Sequence, residues 1–167
     1  MKLKEYLTLM ENFYNSNPIN EKLNFNYDIK NIQSSDYKLR WIVKIESDLY
    51  TIDAGKIKED TWDITFSFAE EGITSLTDKN IPLKVLSAVA TAIKKLVIKK
   101  NPKYIEATIF GNKKANTFLN LIKHEIKNNK DAEVMKEYSL NMKSKKIESV
   151  DYYIVSFKKE CKNSACL

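Results

Sequence analysis

Three carboxylates lie where they could act as general bases beside a substrate cleft. Glu70 and Glu71 follow a strand predicted to end at Phe68, and Glu106 lies within a predicted strand over Tyr104–Phe110. A carboxylate within hydrogen-bonding reach of a reacting amine or hydroxyl can accept its proton. Acidic side chains at strand ends are more often simply solvated, so the sequence leaves both interpretations open.

Other residues that support catalysis or metal binding are scarce. The single histidine, His124, is predicted on the polar face of a helix, far in sequence from any nucleophile. Cys161 and Cys166 form a C-x4-C pair without a second pair of ligands. This spacing predicts no metal site and favours free thiols over a disulfide. The aromatic residues Trp41, Tyr152 and Tyr153 alternate within strands, which is typical of core positions rather than stacking platforms.

The positive charge comes from lysines, apart from Arg40. The chain has 28 Lys and Arg residues against 22 Asp and Glu residues, which gives a net charge of +6. Proteins that read base sequence usually use arginine forks, whereas lysines attract phosphate without direction. The lysines therefore indicate a solvated surface or a weak, nonspecific nucleic-acid contact. They cluster at Lys94-Lys95, Lys99-Lys100, Lys103, Lys113-Lys114 and Lys143–Lys146.

Size and hydropathy predict one domain. A chain of 167 residues with 43% hydrophobic residues can form one core and is too short for two comfortable ones. No apolar run approaches about 18 residues, so the sequence predicts neither a membrane span nor a secretory signal. We expect a single domain over residues 1–160, a polar C-terminal tail over residues 161–167 and a cytoplasmic location.

Apolar periodicity predicts the elements of the first half of the chain. Helical spacing indicates a helix over Leu3–Tyr14, and alternation indicates three antiparallel strands, the second with a bulge at Gly55. The region 19–36 is interpreted as a loop with a short strand around Phe25–Ile29. The three strands are predicted over Leu39–Ile45, Leu49–Ile57 and Trp62–Phe68.

The second half begins with a long helix that starts at Pro82 and ends at Asn101-Pro102. The strand Tyr104–Phe110 follows, and the intervening crossover allows it to lie parallel to Trp62–Phe68. Gly111 then leads into an amphipathic helix that begins at Asn112. Two final strands are predicted over Val134–Met142 and Val150–Phe157, joined by a lysine-rich loop over Lys143–Lys146.

The start of the helix at Asn112 resembles a known motif. Asn112, Ala115 and Phe118-Leu119 are similar to the N-x-x-A-x-x-(L/F)-Y signature of the GNAT superfamily of N-acetyltransferases. The order of elements from residue 37 to residue 158 also resembles this family's core. The resemblance implies an α+β fold with a GNAT-like mixed, mostly antiparallel sheet flanked by helices. It also implies acetyl coenzyme A as acetyl donor, with a tyrosine that protonates the departing thiolate.

Two parts of the family's catalytic pattern are missing. Leu119 takes the place of the tyrosine. The segment Leu76–Lys84, where the family has a glycine-rich turn that binds the pyrophosphate, contains no glycine and includes Asp78 and Pro82. Proline removes a backbone donor, and a carboxylate at the helix start opposes an anion. The sequence therefore predicts weak binding of acetyl coenzyme A or none.

These departures favour a protein without catalytic activity. The chain resembles small GNAT-like proteins encoded by bacteriophages that lack the coenzyme A motif. We therefore expect a virion or assembly component, or an accessory factor that binds a host protein, in the host cytoplasm or the virion. Its partner would be another protein or a second copy of itself, with no membrane or metal. On this interpretation we assign no catalytic, cofactor-binding or metal-binding residues and no cofactor. The alternative is an N-acetyltransferase dependent on acetyl coenzyme A with an atypical cofactor site.

Overall fold

The computed structural model describes residues 23–68, 82–110 and 112–161. The predicted helix Leu3–Tyr14, the carboxylates Glu70 and Glu71, Asp78 and Cys166 lie outside these ranges. The described residues form seven strands, two α-helices and one 3-10 helix. In chain order these are β1 Lys30–Ser34, β2 Lys38–Ile45, β3 Asp48–Lys58, β4 Thr61–Phe68, α1 Pro82–Lys100, β5 Tyr104–Phe110, α2 Asn112–Asn128, the 3-10 helix Lys130–Met135, β6 Tyr138–Ile147 and β7 Val150–Lys159.

All seven strands join one mixed sheet, in the order β1-β2-β3-β4-β5-β7-β6. Every neighbouring pair is antiparallel except β4 and β5, which are parallel and connected through α1. The prediction of an α+β fold with a mostly antiparallel sheet flanked by helices is therefore confirmed. Among the described residues, no helix is long and apolar enough to cross a membrane.

The core lies on one face of the sheet. Alternation along β2 buries Leu39, Trp41, Val43 and Ile45 while the residues between them stay partly or fully exposed. The same face continues across the sheet, where α1 contacts β2 and β3, and α2 contacts β5, β6 and β7. Full burial of one large apolar side chain contributes about 1.5–3 kcal/mol. The other face of the central strands carries polar side chains.

Helix α1 has the boundaries predicted from sequence. Pro82 occupies its start, where a missing N–H costs nothing. Asn101 follows its last residue with a φ of 46°, and the Asn101 N–H donates to the carbonyl oxygen of Val97 at 2.9 Å. A left-handed residue of this kind is a common end to a helix, and asparagine adopts it more readily than most residues.

The first strand lies later in the chain than predicted. The segment 23–29 is irregular, and the strand is Lys30–Ser34, so the prediction of a strand at Phe25–Ile29 is wrong. Phe25 is buried, but the nearby backbone bonds to hydroxyls of α1. The Asn24 N–H donates to Ser87 Oγ and the Tyr27 N–H to Thr91 Oγ1, both at 2.9 Å. Helix side chains thus take the place that a partner strand would have.

Two further details differ from the sequence predictions. Gly55 pairs regularly with both neighbouring strands, and the irregularity in β3 falls between Lys56 and Lys58. Val134 belongs to the 3-10 helix, and β6 begins only at Tyr138. The region Lys143–Lys146 is not a loop, because its residues pair with β7 in regular register. Pairing with β7 on one side allows these lysines to stay exposed along a strand.

We expect Ser149→Gly to stabilise the protein by about 1 kcal/mol, because a left-handed residue other than glycine carries a steric cost of this size. Glu148 and Ser149 form the two-residue turn between β6 and β7, with φ values of 49° and 68°. Urea unfolding would measure the gain. The matched control is Ser139→Gly within β6, which should destabilise. Equal losses for both variants would contradict the assignment of the turn.

Candidate functional site

The parallel strands β4 and β5 separate in the middle of the sheet. Their ladder runs from Thr61↔Tyr104 to Ile64↔Ala107. Beyond that point β4 continues beside β3 as far as Phe68, and β5 continues beside β7 as far as Phe110. The facing edges of 65–68 and 108–110 pair with no strand in the described part of the chain. We call this opening the β4–β5 wedge.

Two carboxylates lie next to the point where the wedge begins. Asp63 and Glu106 face each other across the ladder, one pair before its last. Their side chains share the face opposite the helices, because Trp62 and Ile64 on either side of Asp63 belong to the buried core. Burial and, second, the negative charge of Glu106 raise the pKa of the Asp63 carboxyl above its ordinary value. A carboxylate of this kind holds a proton more readily than a solvated one.

Space is available beside this pair. Gly55 pairs with Asp63 on the other side of β4, and a Cβ atom placed on Gly55 would meet nothing within 4 Å. No lysine or arginine of residues 23–68, 82–110 and 112–161 forms an ion pair with Asp63 or Glu106. The negative charge of Asp63 and Glu106 is therefore not balanced by any lysine or arginine of the described chain. The open space at Gly55 leaves room for a small ligand group beside them.

The rest of this face is polar and internally paired. Arg40 donates from Nε and Nη2 to the two carboxylate oxygens of Asp53, at 2.5 and 2.9 Å. The hydroxyls of Thr51 and Ser67 lie 2.9 Å apart. Asp53 is thus neutralised by a bidentate partner, whereas Asp63 one strand away is not. This contrast makes Asp63 the candidate base on the face.

Helix α1 is the next described element after β4 and carries no acidic residue in its first turn. The exposed Lys84 of that turn pairs with Glu46. The positive end of a helix favours anions. The predicted cofactor turn, apart from its last three residues, lies outside the described ranges.

Helix α2 contains the motif residues. Ala115, Phe118 and Leu119 are all buried, with 0%, 3% and 8% of their surfaces exposed. Asn112 opens the helix, and its Oδ1 accepts from Asn116 Nδ2 at 2.6 Å. The motif therefore packs α2 against the sheet, and Leu119 supplies no proton at the position of the family's tyrosine.

The remaining candidates lie apart from the wedge or serve the core. His124 is exposed on α2, as predicted, and Asn128 Nδ2 donates to its backbone carbonyl at 2.9 Å. Cys161 is exposed at the end of the described chain. Trp41 is buried in the core, which confirms its interpretation. In the described ranges, no group of three or more His, Cys, Asp or Glu residues could hold a metal ion.

The sequence does not distinguish Asp63 from its neighbours, because its context is ordinary. It occupies a polar position of an alternating strand, as Thr65 and Ser67 do. Its partner Glu106 is a possible base from the sequence, but the pairing of the two residues depends on the register between two strands that a whole helix separates. The one feature of the sequence that indicates Asp63 is a carboxylate placed inside a predicted strand.

No protein-family model matches this sequence, and no curated protein matches it. Comparison with solved structures finds a mutant form of spermidine N-acetyltransferase SpeG from Vibrio cholerae, at 10% identity and a TM-score of 0.42, covering 89% of this chain and 73% of that one. It also finds a protein described as a phosphinothricin N-acetyltransferase, at 10% identity and a TM-score of 0.44, covering 98% of this chain and 96% of that one. Both are distant likenesses in fold.

This finding corrects the functional expectation drawn from sequence. The structures that the chain is similar to are N-acetyltransferases, so the prediction of a virion component, assembly component or noncatalytic accessory factor is wrong. A GNAT-like fold agrees with the strand order and with the single parallel pair.

Proposed function

We propose that the protein is an N-acetyltransferase that uses acetyl coenzyme A and that Asp63 is its general base. The observation that carries the proposal is the β4–β5 wedge with the uncompensated Asp63 and Glu106 pair at its closed end. The wedge offers unpaired backbone groups to a ligand, and the paired part of β4 beside it holds the Asp63 side chain in place. Acyl transfer to an amine is accelerated when the donor is held beside the amine and a positioned group accepts the proton of the amine.

The wedge fits the extended arm of coenzyme A. Unpaired strand edges at 65–68 and 108–110 can hydrogen-bond a ligand that lies between them as an added strand would. The phosphate end fits less well, since the segment Leu76–Lys84 lacks glycine and Pro82 lacks an N–H. The cofactor site would therefore be atypical, because the strand edges at 65–68 and 108–110 would hold more of coenzyme A than the start of α1 would.

Asp63 is suited to accept a proton from the acceptor amine. Its raised pKa brings the carboxyl closer to the pH range in which a base both accepts and releases a proton. Glu106 contributes to that shift and gives a second negative charge, which attracts a cationic amine. Bound acetyl coenzyme A would supply the activated acetyl thioester. Leu119 leaves the departing thiolate without the acid that the family's tyrosine supplies.

The proposal is tested by measuring thiol release from acetyl coenzyme A with a panel of primary amines. We expect amine-dependent release and calorimetric binding of coenzyme A with a dissociation constant on the order of 0.1 mM, because the glycine-free turn weakens the phosphate contacts. The buffer and a heat-denatured sample are the controls. Thiol release that no amine stimulates, together with no heat of binding, would refute the proposal.

A further inference from the structure

We propose that a groove between α2 and β6 binds an acidic, extended segment of a partner protein, which adds as a strand to the outer edge of β6. The groove has a volume of about 710 Å³ and is open to solvent. It lies on the far side of β7 from the β4–β5 wedge, so it is separate from the candidate active site. Its lining residues are Lys123, Ile126, Lys127, Lys136, Tyr138, Ser139 and Leu140.

Positive charge lies along the α2 side of the groove. Lys123 and Lys127 lie one turn apart on α2 and are exposed. In the described part of the chain, no acidic side chain forms an ion pair with either of them, whereas Lys136 pairs with Glu133 at 2.8 Å. Two unpaired ammonium groups on one helix face attract a ligand with carboxylates at matching positions.

The floor of the groove is apolar. Ile126 and Tyr138 are 7% and 5% exposed, and Leu140 is partly buried beside them. The Tyr138 hydroxyl donates to the carbonyl oxygen of Pro102 at 2.6 Å, which fixes the position of the ring in the floor. A ligand that fills this floor needs aliphatic side chains between its charges.

Free backbone groups line the same groove. The Glu160 N–H donates to the carbonyl oxygen of Glu137, which directs the backbone of Glu137 towards β7. Because an antiparallel strand directs alternate residues to opposite sides, the backbone groups of Tyr138 and Leu140 point to the outer edge. No described strand lies there. Further along, Asn141 Oδ1 accepts the Met142 N–H at 2.8 Å, so the side chain caps the edge just past the groove.

An acidic strand fits this combination better than other occupants. Nucleic acid would satisfy the lysines but offers no aliphatic side chains for the floor, and the groove provides neither arginine nor an exposed aromatic ring for bases. A second copy of this chain carries a net charge of +6, which opposes its approach to a basic groove. An extended peptide of alternating acidic and aliphatic residues matches the lysines, the floor and the strand edge together.

The test is fluorescence anisotropy with a labelled peptide of alternating Glu and Val at about 150 mM salt, where exposed charges further apart than about 8 Å are screened. We expect saturable binding that is weakened about tenfold by Lys123→Glu with Lys127→Glu, since both rim charges are reversed. The control variant, Lys56→Glu with Lys95→Glu, changes two exposed lysines elsewhere and should bind as the unmodified protein does.

Three comparisons decide the outcome. A peptide of alternating Lys and Val should not bind, and a Glu-Val peptide with N-methylated amides should bind far more weakly, because it cannot pair with β6. The same variants would lower the affinity for a DNA duplex if the groove recognised phosphate instead. Equal binding of the acidic and basic peptides, no effect of N-methylation, equal losses in the control variant, or tighter binding of DNA than of the acidic peptide would each overturn the proposal.

Discussion

Asp63→Asn is expected to reduce amine-dependent thiol release by about a hundredfold or more, the usual contribution of a positioned general base. The amide cannot accept the proton of the acceptor amine, yet it keeps the shape of the carboxyl. Steady-state assays with acetyl coenzyme A would measure the change, and calorimetry should show that coenzyme A binding is retained. The matched control is Asp60→Asn in the exposed turn between β3 and β4.

The pH profile distinguishes catalysis from simple structural damage. If Asp63 is the general base, activity requires its ionised form, so the rate should rise with pH through the raised pKa of this group. Glu106→Gln removes the neighbouring negative charge, which lowers the Asp63 pKa and moves the acid limb of the profile to lower pH. An unchanged limb in Glu106→Gln, or an Asp63→Asn enzyme within threefold of full activity, would exclude Asp63 as the base.

The same shift has a defined effect on stability. A carboxyl whose pKa is raised in the folded state contributes stability below its unfolded pKa of about 3.9, and this contribution is lost as the pH rises through the folded value. Asp63→Asn should therefore unfold no more easily than the unmodified protein at neutral pH. A loss of activity in this variant is then a chemical effect rather than a folding defect.

Phe118→Ala is expected to lower the free energy of unfolding by about 3–5 kcal/mol, through lost apolar burial and the cavity that remains. Phe118 is 3% exposed on the face of α2 that packs against the sheet. Urea unfolding would measure the loss. Asn120→Ala, at an exposed position of the same helix, should change the stability by less than about 0.5 kcal/mol. Equal midpoints for the two variants would show that Phe118 does not anchor α2.

Long, strongly patterned elements could be predicted from sequence. The bounds of β5 and the starts of α1 and α2 follow from alternation, from Pro82 and from Gly111 before Asn112. Strand β1 could not be predicted, because all five of its residues are exposed and carry no apolar alternation. The end of β6 carries no sequence signal for a similar reason, since its lysines join the sheet through backbone pairing with β7.

The site required information that the sequence pattern does not contain. The proximity of Asp63 to Glu106 depends on one register between strands on either side of α1, and a shift of one residue would turn one of the two side chains to the other face. The wedge depends on where that ladder stops. The motif that begins at Asn112 predicts the packing of α2, but the missing tyrosine and glycines give no indication of the proposed acetyl transfer.

The order of the strands in the sheet also determines when each strand can pair during synthesis on the ribosome. Strands β1 to β4 each pair with a neighbour in sequence, so this meander can assemble as soon as residue 68 has emerged. Strand β5 lies between β4 and β7, and β7 is synthesised only after α2 and β6. Its pairing on that side therefore forms late. A nascent chain that stops before Val150 would therefore hold β5 by its few pairs to β4 and leave its other edge open. Vectorial synthesis thus completes one side of the wedge long before the other.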